Sequence, residues 1–212
     1  MSFPIQALVI GVTWAILLAV YGFYRLSGAH RLLEQSPVIE FDAASPENRS
    51  PGSWLSKAGV LWVFAANICP LMLVLAAPFF PELETTLNGL RMTLPAAVNL
   101  AGSIGFVAYS IWGLLVLIYN PNYTPLFQKT NRQYHLAVQG PYRLVRHPRY
   151  AAEALCNLLL FLMTGLWLPL LGVLAWPAVV RQAQAEEAAL LDSAGNLYQE
   201  YRNHTGMFFP RF

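Results

Sequence analysis

Charge is scarce in this chain: Asp, Glu, Lys and Arg together make up 11% of 212 residues, less than half of the roughly 25% usual in soluble domains. That deficit excludes a solvated disordered chain and a basic nucleic-acid-binding tail. Cysteine is equally sparse. The two present, Cys69 and Cys156, sit inside apolar runs, where a free thiol acts as a small packing hydrophobe, and a disulfide scaffold is excluded. No Cys or His pair falls at metal-ligand spacing, so no bound metal is expected. No glycine-rich phosphate loop follows a strand, and strands do not alternate with helices, which excludes a Rossmann-type cofactor site. Internal repeats and low-complexity tracts are also missing. What the chain has is apolar substance: 56% hydrophobic residues and a mean hydropathy of +0.44. The expected fold is all-α, a polytopic integral membrane protein forming a single domain over residues 1–212.

Four stretches contain no Asp, Glu, Lys or Arg: Met1–Tyr24, Ala58–Pro81, Met92–Gln128 and Ala154–Val180. A bilayer core needs about 20 apolar residues of helix. One span each is predicted over Pro4–Tyr24, Ala58–Phe80 and Leu94–Tyr119, the last ended by Asn120-Pro121-Asn122. The remaining stretch, Ala151–Val180, is too long for one straight span and too short for two full ones. Gly165 and Pro169 at its middle predict two short helices in a hairpin, for a total of five transmembrane helices. The polar segment Ser27–Ser56 reads as a loop with a short interfacial helix near Leu26–Gln35. In the third span Ala97, Ala101, Gly105 and Gly113 share a face and predict close helix–helix contact there.

Charge placement orients these spans. Four Lys and Arg lie between spans one and two, one between two and three, five between three and four, and three after span five. With the hairpin, all the rich segments fall on one side; with a single fourth span, the tail would fall on the wrong one. By the positive-inside rule the N-terminus is outside, and the 129–149 loop and the C-terminal tail are cytoplasmic. The first span, with no small-residue cleavage site, reads as an uncleaved anchor.

Two cytoplasmic segments concentrate chemistry. Leu136–Tyr150, LAVQGPYRLVRHPRY, leads into span four, and its last eleven residues hold three Arg, one His, two Tyr and two Pro. A positive collar with snorkelling Arg explains the Arg and Tyr. It does not explain why Gly140-Pro141 and His147-Pro148 fix the backbone twice. The other segment follows span five: Glu186-Glu187, then Leu190, Gly195, Tyr198 and Tyr201. Taken alone, it reads as an amphipathic helix with solvated acids.

Together the segments spell G-P-Y-R-x-x-R-H-P-x-Y, a hydrophobic hairpin, and E-E-x-x-L-x-x-x-x-G-x-x-Y-x-x-Y. This constellation resembles the isoprenylcysteine carboxyl methyltransferase family, whose wider circle includes the phospholipid methyltransferases. The resemblance covers Leu136 to Pro210, while the first three spans carry no motif. Two positions depart from the family's pattern: Ala152 stands where a Gly is usual, and Ala194 where an aromatic often precedes the tail Gly. The resemblance implies an S-adenosyl-L-methionine-dependent methyltransferase whose loop and tail, residues 134–212, close over the cofactor. It implies cofactor contacts from Gly140, Tyr142, Arg146, His147, Pro148, Tyr150, Glu186, Glu187 and Tyr198.

The cofactor's chemistry suits those residue types. Its carboxylate wants a forked donor such as Arg146, with His147 as a second polar contact. Ribose hydroxyls or the ammonium want an acceptor such as Glu187 or Glu186, and the Tyr142 and Tyr150 rings suit adenine or the sulfonium. Arg146, His147 and Glu153 are the catalytic candidates. A carboxylate acceptor needs no base, whereas an amine or thiol does, from His147 or Glu153. Glu153 shares a helix face with Tyr150 and Asn157, and an Arg-paired structural role is its alternative. His30 and His135 read as interfacial and His204 as plain loop. The acceptor is expected to be lipidic or prenylated and to arrive from among the membrane lipids, with no nucleic-acid partner. A phospholipid amine or a small thiol is the alternative acceptor. An NADPH-dependent membrane reductase is the alternative class, and a scaffold or transporter ranks last because no inverted repeat is present.

Overall fold

The structure is a computed structural model that describes residues 1–28, 38–40, 52–120 and 133–211. In chain order it contains α1 (Phe3–Leu26), β1 (Val38–Glu40), α2 (Trp54–Ala76), α3 (Pro81–Gly89), α4 (Ala96–Ile118), β2 (Gln133–His135), α5 (Pro148–Thr164), α6 (Trp176–Ala194) and α7 (Asn196–His204). Short 3₁₀ segments cover Ala77–Phe79, Gly140–Arg143 and Leu168–Ala175. The fold is helical, apart from β1 and β2, which pair antiparallel with Ile39 opposite Tyr134. The interfacial helix expected near Leu26–Gln35 lies, from residue 29 on, outside the described residues; Leu26 itself closes α1.

Three helices are long and apolar enough to cross a membrane: Phe3–Leu26, Trp54–Phe79 and Ala96–Ile118, with mean hydropathies of 2.1, 2.3 and 1.9. Their ends fall within about a turn of the hydropathy reading. The second begins at Trp54 rather than Ala58 because Ser53 caps it, its hydroxyl accepting the Ser56 N–H at 3.2 Å. It is followed by α3, which the sequence reading did not anticipate. Pro81 at its start and Glu82 and Glu84 in its first turn favour a helix beginning there, and Leu87 buries its inner face.

The stretch after α4 turns back on itself. The α5 helix ends at Gly165, whose φ of 76° a side chain would strain, and whose missing Cβ leaves room for the Met92 carbonyl. Met92 N–H donates to the Gly165 carbonyl at 2.8 Å, pinning the turn to the start of the α4 segment. The chain then returns antiparallel to α5, with Gly172 against Asn157, and Glu186 reaching Tyr150. The return leg is not one plain helix. Its first part, Leu168–Ala175, is 3₁₀, and α6 runs on from Trp176 well past Val180 to Ala194.

Polar side chains lock the helices at both ends. At the end holding the α5–α6 turn, Gln6 donates to the Met163 carbonyl at 2.9 Å and Asn99 to the Leu162 carbonyl at 3.0 Å. At the opposite end, Tyr24 donates to the Ile118 carbonyl at 3.2 Å and the Ser56 hydroxyl to Gln182 at 2.8 Å. The α1 and α4 helices therefore run parallel, with α2 and α5 antiparallel to them. The last turns of α1 and α4, the middle of α6 and the first turns of α2 and α5 lie at that second end. Between the ends, Ile10, Leu71, Val74, Phe106, Cys156, Leu160 and Met163 form the apolar core. Facing outward are Leu8, Leu18, Phe23, Leu61 and Ile104, each more than half exposed, as a lipid-facing surface requires.

The small-residue contact on α4 matches the expected face only at Gly105, where a Cβ would lie 2.4 Å from the Leu159 side chain of α5. Ala97 and Ala101 are exposed, and Gly113 has open space around it. The close approach to backbone is at Gly102, where a Cβ would lie 2.3 Å from the Met163 backbone nitrogen. Asn99, Gly102, Ser103 and Phe106 are the residues buried along this face, so the polar anchors and Phe106 set the rotation of the helix.

Candidate functional site

The segment ahead of α5 is shaped by glycine and proline. Gly140 has φ 56°, and a Cβ there would overlap the Tyr119 ring. Pro148 occupies the start of α5, where its missing N–H costs nothing. Between them the backbone runs beside the tail that follows α7. Arg146 N–H donates to the Gly206 carbonyl at 2.8 Å and His147 N–H to the Met207 carbonyl at 3.0 Å. These bonds satisfy the backbone just before the helix and fix the tail against the turn.

The side chains of Arg146 and His147 meet the acid pair of α6. Arg146 Nε donates to Glu187 Oε1 at 2.7 Å, and Nη2 donates to Oε2 at 3.4 Å. Arg146 Nη1 donates to the Arg202 carbonyl at 3.3 Å and to the Thr205 carbonyl. Arg202 Nε lies 3.4 Å from Glu187 Oε2. His147 places Nδ1 3.6 Å from Glu186 and Nε2 3.4 Å from Glu187. Glu186 also accepts from the Tyr150 hydroxyl at 2.7 Å and the Gln182 amide at 3.0 Å. The acids are thus paired rather than solvated as the bland expectation had it. Glu187 is 3% exposed, and burial pushes its carboxyl pKa up. The favourable contacts of His147 and the hydrogen bonds and charge of Arg146 outweigh burial and hold it below the ordinary value.

Aromatic rings border this ion cluster. His147 and Tyr150 stack with centroids 5.6 Å apart and an interplanar angle of 9°. Phe208 tilts over His147 at 5.9 Å and over Trp176 at 5.0 Å. His147 Nε2 is buried, and Glu187 Oε1 at 3.4 Å is the acceptor it faces, at longer than ideal hydrogen-bond geometry.

One turn further into α5 lies a second polar network. Glu153, 3% exposed, accepts from Arg149 Nε at 2.8 Å, Asn67 at 2.8 Å and the Tyr109 hydroxyl at 3.1 Å. Asn157 donates to Asn67 in turn. Glu153 therefore faces α2 and α4, while Tyr150, which the sequence put on its face, turns to α6. The carboxylate is surrounded by donors that already use it, which is an Arg-paired structural arrangement.

Of the expected site residues, the fold brings Arg146, His147, Tyr150, Glu186 and Glu187 together. The others lie elsewhere. Tyr142 accepts from Asn120 at 2.8 Å and packs with Val116 and Ala137. Tyr198 is 1% exposed, against Leu136 in the tail's own core. Pro148 contributes its carbonyl to the Trp112 indole at 3.1 Å. Arg202, Phe208 and Trp176 join the site without having been singled out from sequence. Asn67 could have been found, because a lone amide in an otherwise apolar span signals a buried polar partner. No protein-family model matches the chain, and no curated protein is significantly similar to it.

Proposed function

We propose that this chain is an integral-membrane S-adenosylmethionine-dependent methyltransferase acting on a lipidic or prenylated acceptor. The observation that carries this is the meeting of two motifs 36 to 41 residues apart: the Arg146–Tyr150 turn and the Glu186–Glu187 pair form one buried cluster. A bare positive collar would leave those acids solvated.

The donor set fits the cofactor. The carboxylate of Glu186, more exposed than that of Glu187, suits the ammonium or a ribose hydroxyl. The cluster of His147, Tyr150 and Phe208 rings suits an adenine or a sulfonium cation bound beside it. His147, with its two ring nitrogens 3.6 Å from Glu186 and 3.4 Å from Glu187, ties the aromatic rings to the acid pair. Arg146 makes four hydrogen bonds within the protein, so it builds the site by holding Glu187 and the tail as well as lending it positive charge. The bound cofactor supplies an electrophilic methyl group. What remains for the protein is to align an acceptor with it, exclude water and, for an amine or thiol acceptor, remove a proton through His147.

The reading includes five membrane crossings, the α5–α6 hairpin supplying the last two, with the cluster on the cytoplasmic face. It is supported by charge: the α5–α6 turn end holds Arg91, while Arg25, Lys57, Arg143, Arg146, Arg149, Arg181, Arg202 and Arg211 lie toward the other. The test is calorimetric titration of the detergent-purified chain with S-adenosylhomocysteine, with NADPH as comparison. Saturable binding of the first alone is expected. Binding of NADPH alone would replace the methyltransferase by a reductase, and binding of neither would remove both.

A further inference from the structure

The tail encloses a cleft of about 430 Å³ beside the ion cluster. Arg146, Gln199, Arg202, Asn203, Phe209 and Arg211 form most of its wall, and among the described residues no acidic one lines it. His147, Tyr150, Glu186 and Phe208 are not part of that wall, so the cleft is separate from the aromatic cluster. Glu187 reaches Arg146 and Arg202 from behind and offsets at most one of the three guanidinium charges. Gln199 donates its amide to Asn203 Oδ1 at 3.0 Å, which leaves the Asn203 NH₂ as a further donor. A cleft with several donors, an excess of positive charge and no acid calls for an anion, and forked guanidiniums favour a phosphate.

The cleft's position says where that phosphate comes from. Gly206 allows a tight turn, since a Cβ there would overlap the Phe209 carbonyl, and beyond it Phe209 projects 79% exposed. The same end of the helix bundle carries exposed Phe23, Leu26 and Trp54, at 75%, 90% and 79%. Exposed aromatic and apolar side chains beside Arg mark the headgroup level of a bilayer. We propose that the Arg146–Arg202–Arg211 cleft binds the phosphate of an anionic phospholipid, with the acyl chains on the Phe209 side. This holds whether or not the chain transfers methyl groups.

The experiment titrates the detergent-purified full chain with short-chain phosphatidylglycerol, phosphatidylcholine and inorganic phosphate, for the wild type and for Arg211→Glu. Arg211 is exposed and outside the ion cluster, so its replacement leaves the fold in place; Asn203→Ala serves as a second variant. Phosphatidylglycerol should bind about tenfold more tightly than phosphatidylcholine, weaken as salt rises, and lose about tenfold in Arg211→Glu. Inorganic phosphate binding as well as the lipid would support the phosphate site with a soluble source. Equal binding of the two lipids with no response to phosphate would overturn the proposal, as would unchanged affinity in both variants. Displacement by S-adenosylhomocysteine would overturn it too, because the cleft would then belong to the cofactor.

Discussion

Replacing Glu187 by Ala removes the acid that joins the turn, the tail and α7. The Arg146 side chain is 8% exposed and would keep its charge with two of its four hydrogen bonds gone. Breaking a buried ion pair on one side costs about 3–5 kcal/mol, because the other charge stays buried. Arg202, one third exposed, can turn to water and adds little. At about 2–4 °C per kcal/mol for a chain of this size, the melting temperature in detergent should fall by about 6–20 °C. The double variant Arg146→Met, Glu187→Leu should recover much of that loss, since an apolar pair leaves no charge stranded. Scanning fluorimetry of the three proteins in one detergent reads all of this. A fall of less than about 2 °C in Glu187→Ala, or a double variant less stable than either single one, would refute the reasoning.

Acid should act through the same carboxylate. Its pKa is depressed in the fold, so the stability it contributes is fully present above the ordinary value of 4.5 and is lost as pH falls through the lower folded value. Wild type should therefore lose melting temperature below about pH 4.5 more steeply than Glu187→Gln, as pH-stepped melting curves would show. On α4, Gly102→Ala forces a methyl against the Met163 backbone and should cost about 1–3 kcal/mol. Gly113→Ala, with nothing within 4 Å of the new methyl, should leave the melting temperature unchanged or slightly raised.

The long helices were legible because uninterrupted apolar runs admit few alternatives, and Gly165 with Pro169 announced the reversal after α5. Rotational phase was legible only in part, since of the four small residues expected to face a neighbour Gly105 meets Leu159 while Ala97, Ala101 and Gly113 do not. Both Ala101 and Gly102 are small, and only the partners of Asn99 and the burial of Phe106 decide which one meets α5. The 3₁₀ start of the return leg and α3 were hidden for a related reason: short segments carry too little pattern to outweigh their surroundings. At the site, the turn and the acid pair were readable as a motif, and their pairing follows from the hairpin. Phe208, Trp176 and Arg202 were not, since their roles depend on how the tail lies across Arg146 and His147. Glu153 illustrates the opposite error. Helical spacing put it beside Tyr150, but Asn67 and Tyr109, from two other helices, draw it away.

That last network bears on how the protein is made. At 17 residues, α5 is about 25 Å long, short of the roughly 30 Å hydrocarbon thickness, and it begins with a charged pair. If α5 crosses the membrane, as proposed, its own apolar length would not suffice to carry it into lipid. Its carboxylate becomes tolerable only where Asn67 of α2 and Tyr109 of α4 already wait to receive it. On the five-crossing reading, the earlier helices would serve as the solvent for the later one, and the order of synthesis would become an order of assembly. On that reading, Asn67→Ala should first lower the yield of folded chain recovered in detergent, as size-exclusion chromatography would show.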